Sequence, residues 1–134
     1  QWEDQRLASR LGGQMAEARL KQGDRGGALR MFRQSFELAP SRFTFSSAGV
    51  ALSFLEACSD AASKQAMLAY MQGFAASYPQ YPRLQVALLK AVELALEQKA
   101  YAVARLLLDH AHDSVPGIGD DADFVRLSLA LDER

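Results

Sequence analysis

The chain has 134 residues, led by alanine (23) and leucine (19), with no asparagine and eight β-branched residues: six Val, one Ile and one Thr. Strands draw on β-branched side chains, whereas Ala, Leu, Gln, Glu and Arg lose little rotamer freedom in a helix; the composition excludes a sheet-based fold and reads as all-α. A net charge of −1 argues against nucleic-acid binding through general phosphate attraction, and 49% apolar with 23% charged residues excludes a disordered chain.

Helical patterning fills the sequence in punctuated segments. The first runs from about Glu3 to Gln22 and ends in Gly23-Asp24. The second, about Arg25 to Leu38, stops at Ala39-Pro40, and the third extends from about Phe43 to Cys58. Asp60 can cap the fourth, about Ala61 to Ser77, which ends at Tyr78-Pro79. The prolines of Tyr78-Pro79-Gln80-Tyr81-Pro82 end one helix and aim the next, and the same loop could present a tyrosine edge to a partner. Segments of about Arg83 to Gln98 and Tyr101 to Ser114 follow, the latter closed by Val115-Pro116-Gly117. A last helix follows Gly119-Asp120-Asp121.

Cys58 is the only cysteine, so no internal disulfide exists, and its helical setting suits a small buried hydrophobe. Leu84 to Leu96, the longest apolar stretch, is interrupted by Gln85, Lys90 and Glu93, and no membrane insertion is expected. Opening at Gln1 with neither methionine nor basic leader, the chain reads as a fragment of a longer protein. Charge is uneven along it. Residues 1–42 sum to +3, residues 43–100 to zero and residues 101–134 to −4. Such a distribution is either a solvated surface or a dipolar body able to attract copies of itself.

Internal repetition organises the whole chain. Ala28, Ala66 and Ala104 recur every 38 residues, as do Phe32, Tyr70 and Leu108, and Ser35, Gly73 and Ala111. The preceding helices keep the same spacing in Ala16, Phe54 and Val92, and in Leu20, Cys58 and Leu96. A small residue beside a bulky one lets two helices approach closely and fills the groove between them. The three alanines are therefore expected at close helix crossings.

Gln22-Gly23-Asp24, Ala28, Phe32, Ser35 and the run Phe36-Glu37-Leu38-Ala39-Pro40 resemble the second half of a tetratricopeptide repeat, and Tyr101, Ala104, Leu108, Ala111 and Pro116 form a similar copy. The family's period is about 34 residues. The four extra residues here, such as Phe43 to Ser46, are expected to add about one helical turn. The resemblance implies a single all-α domain over 1–134, a right-handed α-solenoid of about three hairpins plus a C-terminal helix. Its units are 5–42, 43–80 and 81–118, with a partial or capping unit at 119–134.

No signature of catalysis accompanies the repeats. Neither a phosphate-binding loop nor a nucleophile elbow occurs. In Asp109-His110-Ala111-His112-Asp113 the two histidines point about 200° apart on a helix and cannot easily share a metal ion. Asp120, Asp121 and Asp123 suit the start of a helix, where acidic groups cap it and meet its dipole. Glu93 and Glu97, one turn apart, lack a polar pocket partner and read as a solvated or groove-facing stripe. No enzyme activity, cofactor or metal is expected.

The resemblance further implies that the first helix of each hairpin lines a concave groove for a protein or peptide partner. That assignment selects Arg10, Gly13, Glu17 and Lys21 in the first unit, Ala48, Ala51, Leu52 and Leu55 in the second, and Val86, Leu89, Lys90 and Glu93 in the third. The apolar residues among them could hold a partner helix or extended segment, or Leu52, Leu55 and Leu89 could be core. Chaperone tails are not expected as ligands, because Gly13 and Glu17 stand where the family's carboxylate clamp needs lysine and asparagine. The function implied is a non-enzymatic scaffold. Ala/Arg/Leu-rich usage points to a GC-rich bacterial source, and the family setting to periplasmic or cytoplasmic assemblies such as exopolysaccharide synthesis or export, or secretion. The alternative is self-association through the end faces; an enzymatic or small-molecule-binding helical domain is a distant third.

Overall fold

Among the described residues every regular element is helical. The computed structural model describes residues 2–40, 43–74 and 83–134, with Trp2, Glu3, Gln5 and Arg6 described through their backbone alone. The expected Tyr78–Pro82 loop and the end of the fourth helix at Ser77 lie outside these residues. Among the described residues seven α-helices follow in chain order: α1 Trp2–Lys21, α2 Arg25–Leu38, α3 Ala48–Ala57, α4 Ala61–Met71, α5 Leu84–Glu97, α6 Tyr101–Ser114 and α7 Ala122–Asp132. A 3-10 turn, Ile118–Asp120, precedes α7. No described helix is long and apolar enough to cross a membrane.

The chain divides into two compact units, Gln1–Ala66 and Met67–Arg134. The division falls inside α4 rather than at a boundary of the 38-residue units expected from the sequence.

In the first unit α1 packs along α2, and the turn between them is a Schellman motif. The Gly23 amide donates to the Leu20 carbonyl (3.0 Å) and the Asp24 amide to that of Arg19 (2.9 Å). Gly23 takes the left-handed conformation the motif requires, at φ 87°. Asp24 then caps α2 by accepting from the Gly27 amide at 3.0 Å. Where the helices cross, the Ser9 hydroxyl donates to the Ser35 carbonyl at 2.7 Å. Gly12 allows that approach: a β-carbon there would stand 2.9 Å from Ser35 Cβ and closer still to its hydroxyl. Gly12→Ala is therefore expected to destabilise by about 1–3 kcal/mol through overpacking. Gly26→Ala meets nothing within 4 Å and should instead stabilise by about 0.5–1 kcal/mol. Urea titration of both variants checks the pair.

The core of this unit is aromatic. Phe32 is fully buried, with ring centroids 5.6 Å from Phe36, 5.3 Å from Phe43, 5.4 Å from Phe45 and 6.0 Å from Phe54. Phe43 and Phe45 come from residues 43–47, which are not helical. This corrects the expected extra turn and the start of the third helix at Phe43. Alternation explains the difference: Phe43 and Phe45 turn inward while Thr44 and Ser46 face water, the period of an extended segment. Ser47 then starts α3 by accepting from the Val50 amide at 3.2 Å.

In the second unit α5 packs along α6, and α7 packs against both. The Gln85 side-chain amide donates to Asp121 at 2.7 Å, and Arg126 pairs with Glu93 at 3.3 Å, so α7 runs parallel to α5. At its other end Arg105 pairs with Asp132 at 2.6 Å, and the Arg134 guanidinium lies 3.9 Å above the Tyr101 ring.

The α1–α2 and α5–α6 hairpins repeat one another in backbone detail. Lys21 and Glu97 end the first helices, and Arg25–Leu38 corresponds to Tyr101–Ser114, each two 38-residue periods apart. The Schellman bonds recur at the same offset, Lys99 amide to Leu96 carbonyl (3.1 Å) and Ala100 amide to Ala95 carbonyl (2.8 Å). Lys99 replaces Gly23 and still adopts φ 58°. Burial matches in all three copies at two positions: Phe32, Tyr70 and Leu108 are buried, as are Ala16, Phe54 and Val92. The small residues match only in the outer two. Ala28 and Ala104 are fully buried, but Ala66 is half-buried and Gly73 exposed, which corrects the expected close crossing at Ala66. The middle copy has slipped. Asp60 caps α4 by accepting from the Ser63 amide at 3.1 Å, two residues before the position that a 38-residue shift of Asp24 predicts.

Candidate functional site

The residues expected to line a groove fall into rows, one on each first helix. On α1, Arg10, Glu17 and Lys21 lie within about 40° of one another by helical geometry. On α5, Val86, Lys90 and Glu93 do so within about 60°. At four of five matched positions the two rows have the same exposure, half-buried Lys90 and exposed Gln14 differing. Arg10 and Val86 are exposed, Gly13 and Leu89 buried, Glu17 and Glu93 half-buried, Lys21 and Glu97 exposed.

Each row is partly occupied by its own unit. Glu17 accepts hydrogen bonds from the Ser46 amide (2.9 Å) and hydroxyl (2.8 Å), fastening the 43–47 segment against α1. Gly13 lies beneath the Phe43 ring, which a β-carbon there would meet at 3.0 Å. In the second unit Glu93 holds Arg126 of α7. Arg10 and Lys21 on α1, with Val86 and half-buried Lys90 on α5, complete the solvent-accessible parts of the two rows.

The middle of the expected groove is interior. Ala48, Ala51, Leu52 and Leu55 of α3 are all buried, and so is Leu89 of α5. Together with buried Phe54 and Ala57, these α3 positions occupy about 220° of the helix circumference at 100° per residue. A helix apolar around more than half its girth is a core helix. The expected apolar docking floor is thereby corrected to core.

Glu93 and Asp121 have structural partners, whereas the His110 Nδ1 is buried without a hydrogen-bond partner. Asp121 caps α7 by accepting from the amides of Asp123 (2.9 Å) and Phe124 (3.1 Å), in addition to its bond from Gln85. His110 is half-buried and His112 exposed, with His112 3.5 Å from Asp113. Among the described residues no group of three His, Cys, Asp or Glu side chains is placed to hold a metal ion.

Cys58 is half-buried, and its thiol donates to the Phe54 carbonyl at 3.2 Å. Burial, reinforced by the negative charge of Asp60, pushes its pKa up to about 12. The thiol form therefore favours folding below the ordinary thiol pKa near 9. That contribution is lost as pH rises through the folded-state value. At pH 8, alkylation of Cys58 by iodoacetamide is expected to be at least about tenfold slower in the native protein than in urea; equal rates would contradict the burial. Asp60 shifts the other way. The Ser63 side chain close by and then the hydrogen bond from the Ser63 amide hold the carboxyl below its usual range, so the cap on α4 holds above that range and weakens in acid.

Sequence reasoning overlooked apolar stripes on the outer surfaces of α1 and α7. Leu7, Leu11 and Met15 are 49%, 46% and 51% exposed, and Val125 and Leu129 are 41% and 57% exposed. Their four-residue spacing was the available signal. No family model, curated protein or solved structure matches the chain.

Proposed function

We propose that the chain is a non-enzymatic protein-interaction scaffold of the tetratricopeptide type. In this reading its hairpins stack as a right-handed α-solenoid, and the first-helix rows contact a polypeptide. The observation that carries it is the recurrence of one hairpin, with the same turn bonds and the same row exposure, at Arg10/Glu17/Lys21 and Val86/Glu93/Glu97. Repeats of this kind cannot bury their apolar faces singly and hold one another in stacks. Their exposed rows then become extended binding surfaces. Within the first unit Arg10 and Lys21 favour acidic side chains, and within the second Lys90 beside apolar Val86 favours a segment combining acidic and apolar ones. The resemblance to tetratricopeptide repeats is compatible with such a scaffold serving a bacterial multiprotein assembly, for example one of exopolysaccharide synthesis, export or secretion.

Selection of displayed peptides against the purified chain tests the reading. Peptides enriched in acidic and apolar residues are expected, and Val86→Asp with Lys90→Glu should weaken them at least about tenfold at unchanged helicity. Failure to enrich any peptide, or equal binding by the folded double variant, would overturn it.

A further inference from the structure

We propose that α1 and α7 carry complementary surfaces through which copies of this chain associate, the outer face of α1 in one copy meeting that of α7 in the next. The apolar stripes themselves lie outside the first-helix rows, although Arg10 and Lys21 of the α1 row edge one of them.

The first observation is that each of these helices is apolar on two sides. On α1 the buried Ser9, Gly13 and Ala16 face α2 and the segment that follows it, while Leu7, Leu11 and Met15, each close to half exposed, stand about 160° away. On α7, Leu127 and Leu131 are buried, whereas Val125 and Leu129 are turned about 200° from them, with exposed Ala122 alongside. A helix on the surface of a monomer shows one apolar stripe. A second, aligned stripe of large side chains marks a surface that another element covers.

Charge selects the occupant. The α1 stripe is flanked by Arg10 and Lys21, with the acid Asp4 one turn before Leu7, and residues 1–42 sum to +3. The α7 stripe ends at Glu133 and at Asp132, which Arg105 already pairs, and residues 101–134 sum to −4. A pairing of α1 with α1 sets cations against cations, and one of α7 with α7 sets acids against acids. Pairing α1 with α7 joins apolar stripe to apolar stripe and opposite charge to opposite charge. Such a contact is heterologous: the copy that binds through α1 still presents its own α7. Association therefore continues beyond the dimer or closes into a ring.

Sedimentation of the 134-residue chain from micromolar to millimolar concentration, at low and high salt, tests this. The average mass should rise with concentration above that of the monomer, and the association should weaken as salt screens the charged edges. Leu11→Glu and Leu129→Glu should each be monomeric on their own. Mixed in equal amounts they should form a dimer and nothing larger, because one retains an intact α7 stripe and the other an intact α1 stripe. Met15→Glu with Val125→Glu provides a second pair if either first variant loses its helicity. Three results would overturn the proposal: a monomer at every concentration, self-association of Leu129→Glu as strong as that of the parent (α1 pairing with α1), or a mixture that remains monomeric.

Discussion

Phe32→Ala is expected to cost about 3–5 kcal/mol of stability, the range for emptying a fully buried aromatic site. Phe32 lies at the centre of the first unit's aromatic cluster, with four rings whose centroids are between 5.3 and 6.0 Å away. Truncation removes both the buried area and the ring–ring contacts, each worth about 0.5–1.5 kcal/mol beyond burial. The cluster also joins α2 to the 43–47 segment and, through Phe54, to α3. Relaxation into the cavity would have to move three elements at once. Phe36→Ala, on the half-buried rim of the same cluster, should cost clearly less. Urea denaturation of both variants measures the difference. A loss below about 1 kcal/mol for Phe32→Ala would show that the cluster is not the core of the unit.

Leu55→Glu carries the second large effect. Leu55 is 2% exposed, so a carboxylate there loses its water without gaining a partner, at a cost of several kcal/mol. A loss of about 4 kcal/mol or more is expected, a large fraction of the stability of any domain. Val86→Glu makes a comparable change at another position of the expected groove but on an exposed site, and should stay within about 0.5 kcal/mol. Thermal melts followed by circular dichroism compare the two. If Leu55→Glu folds as stably as the parent, α3 faces solvent and the apolar groove floor is restored.

The helix ends closest to the sequence reading were those with explicit punctuation. Gly23-Asp24 marks both the end of α1 and the cap of α2, and Ala39-Pro40 closes α2. The 43–47 segment was misread because Phe43 and Phe45 fit a helical stripe as readily as a two-residue alternation. The pull of a distant aromatic cluster on so short a segment cannot be seen locally. Ala66 was misplaced for a related reason. Spacing aligned it with Ala28 and Ala104, but the cap at Asp60 shifted the turn of the middle copy.

For the site, the rows on α1 and α5 were legible because charged residues recur there at helical spacing. The burial of α3 was legible only as an alternative. A run such as Ala51-Leu52-Ser53-Phe54-Leu55 is apolar on several sides, and tertiary packing decides which sides see water. The outer stripes of α1 and α7 present the same ambiguity in reverse: each helix offers two apolar faces, and the sequence does not say which one the core takes.

The α1–α2 and α5–α6 hairpins are copies of one unit, and NMR couplings transmitted across hydrogen bonds test that most directly. Couplings are predicted from the Asp24 amide to the Arg19 carbonyl and from the Ala100 amide to the Ala95 carbonyl, the same bond in each turn. A coupling in only one turn, or two at different offsets, would contradict it.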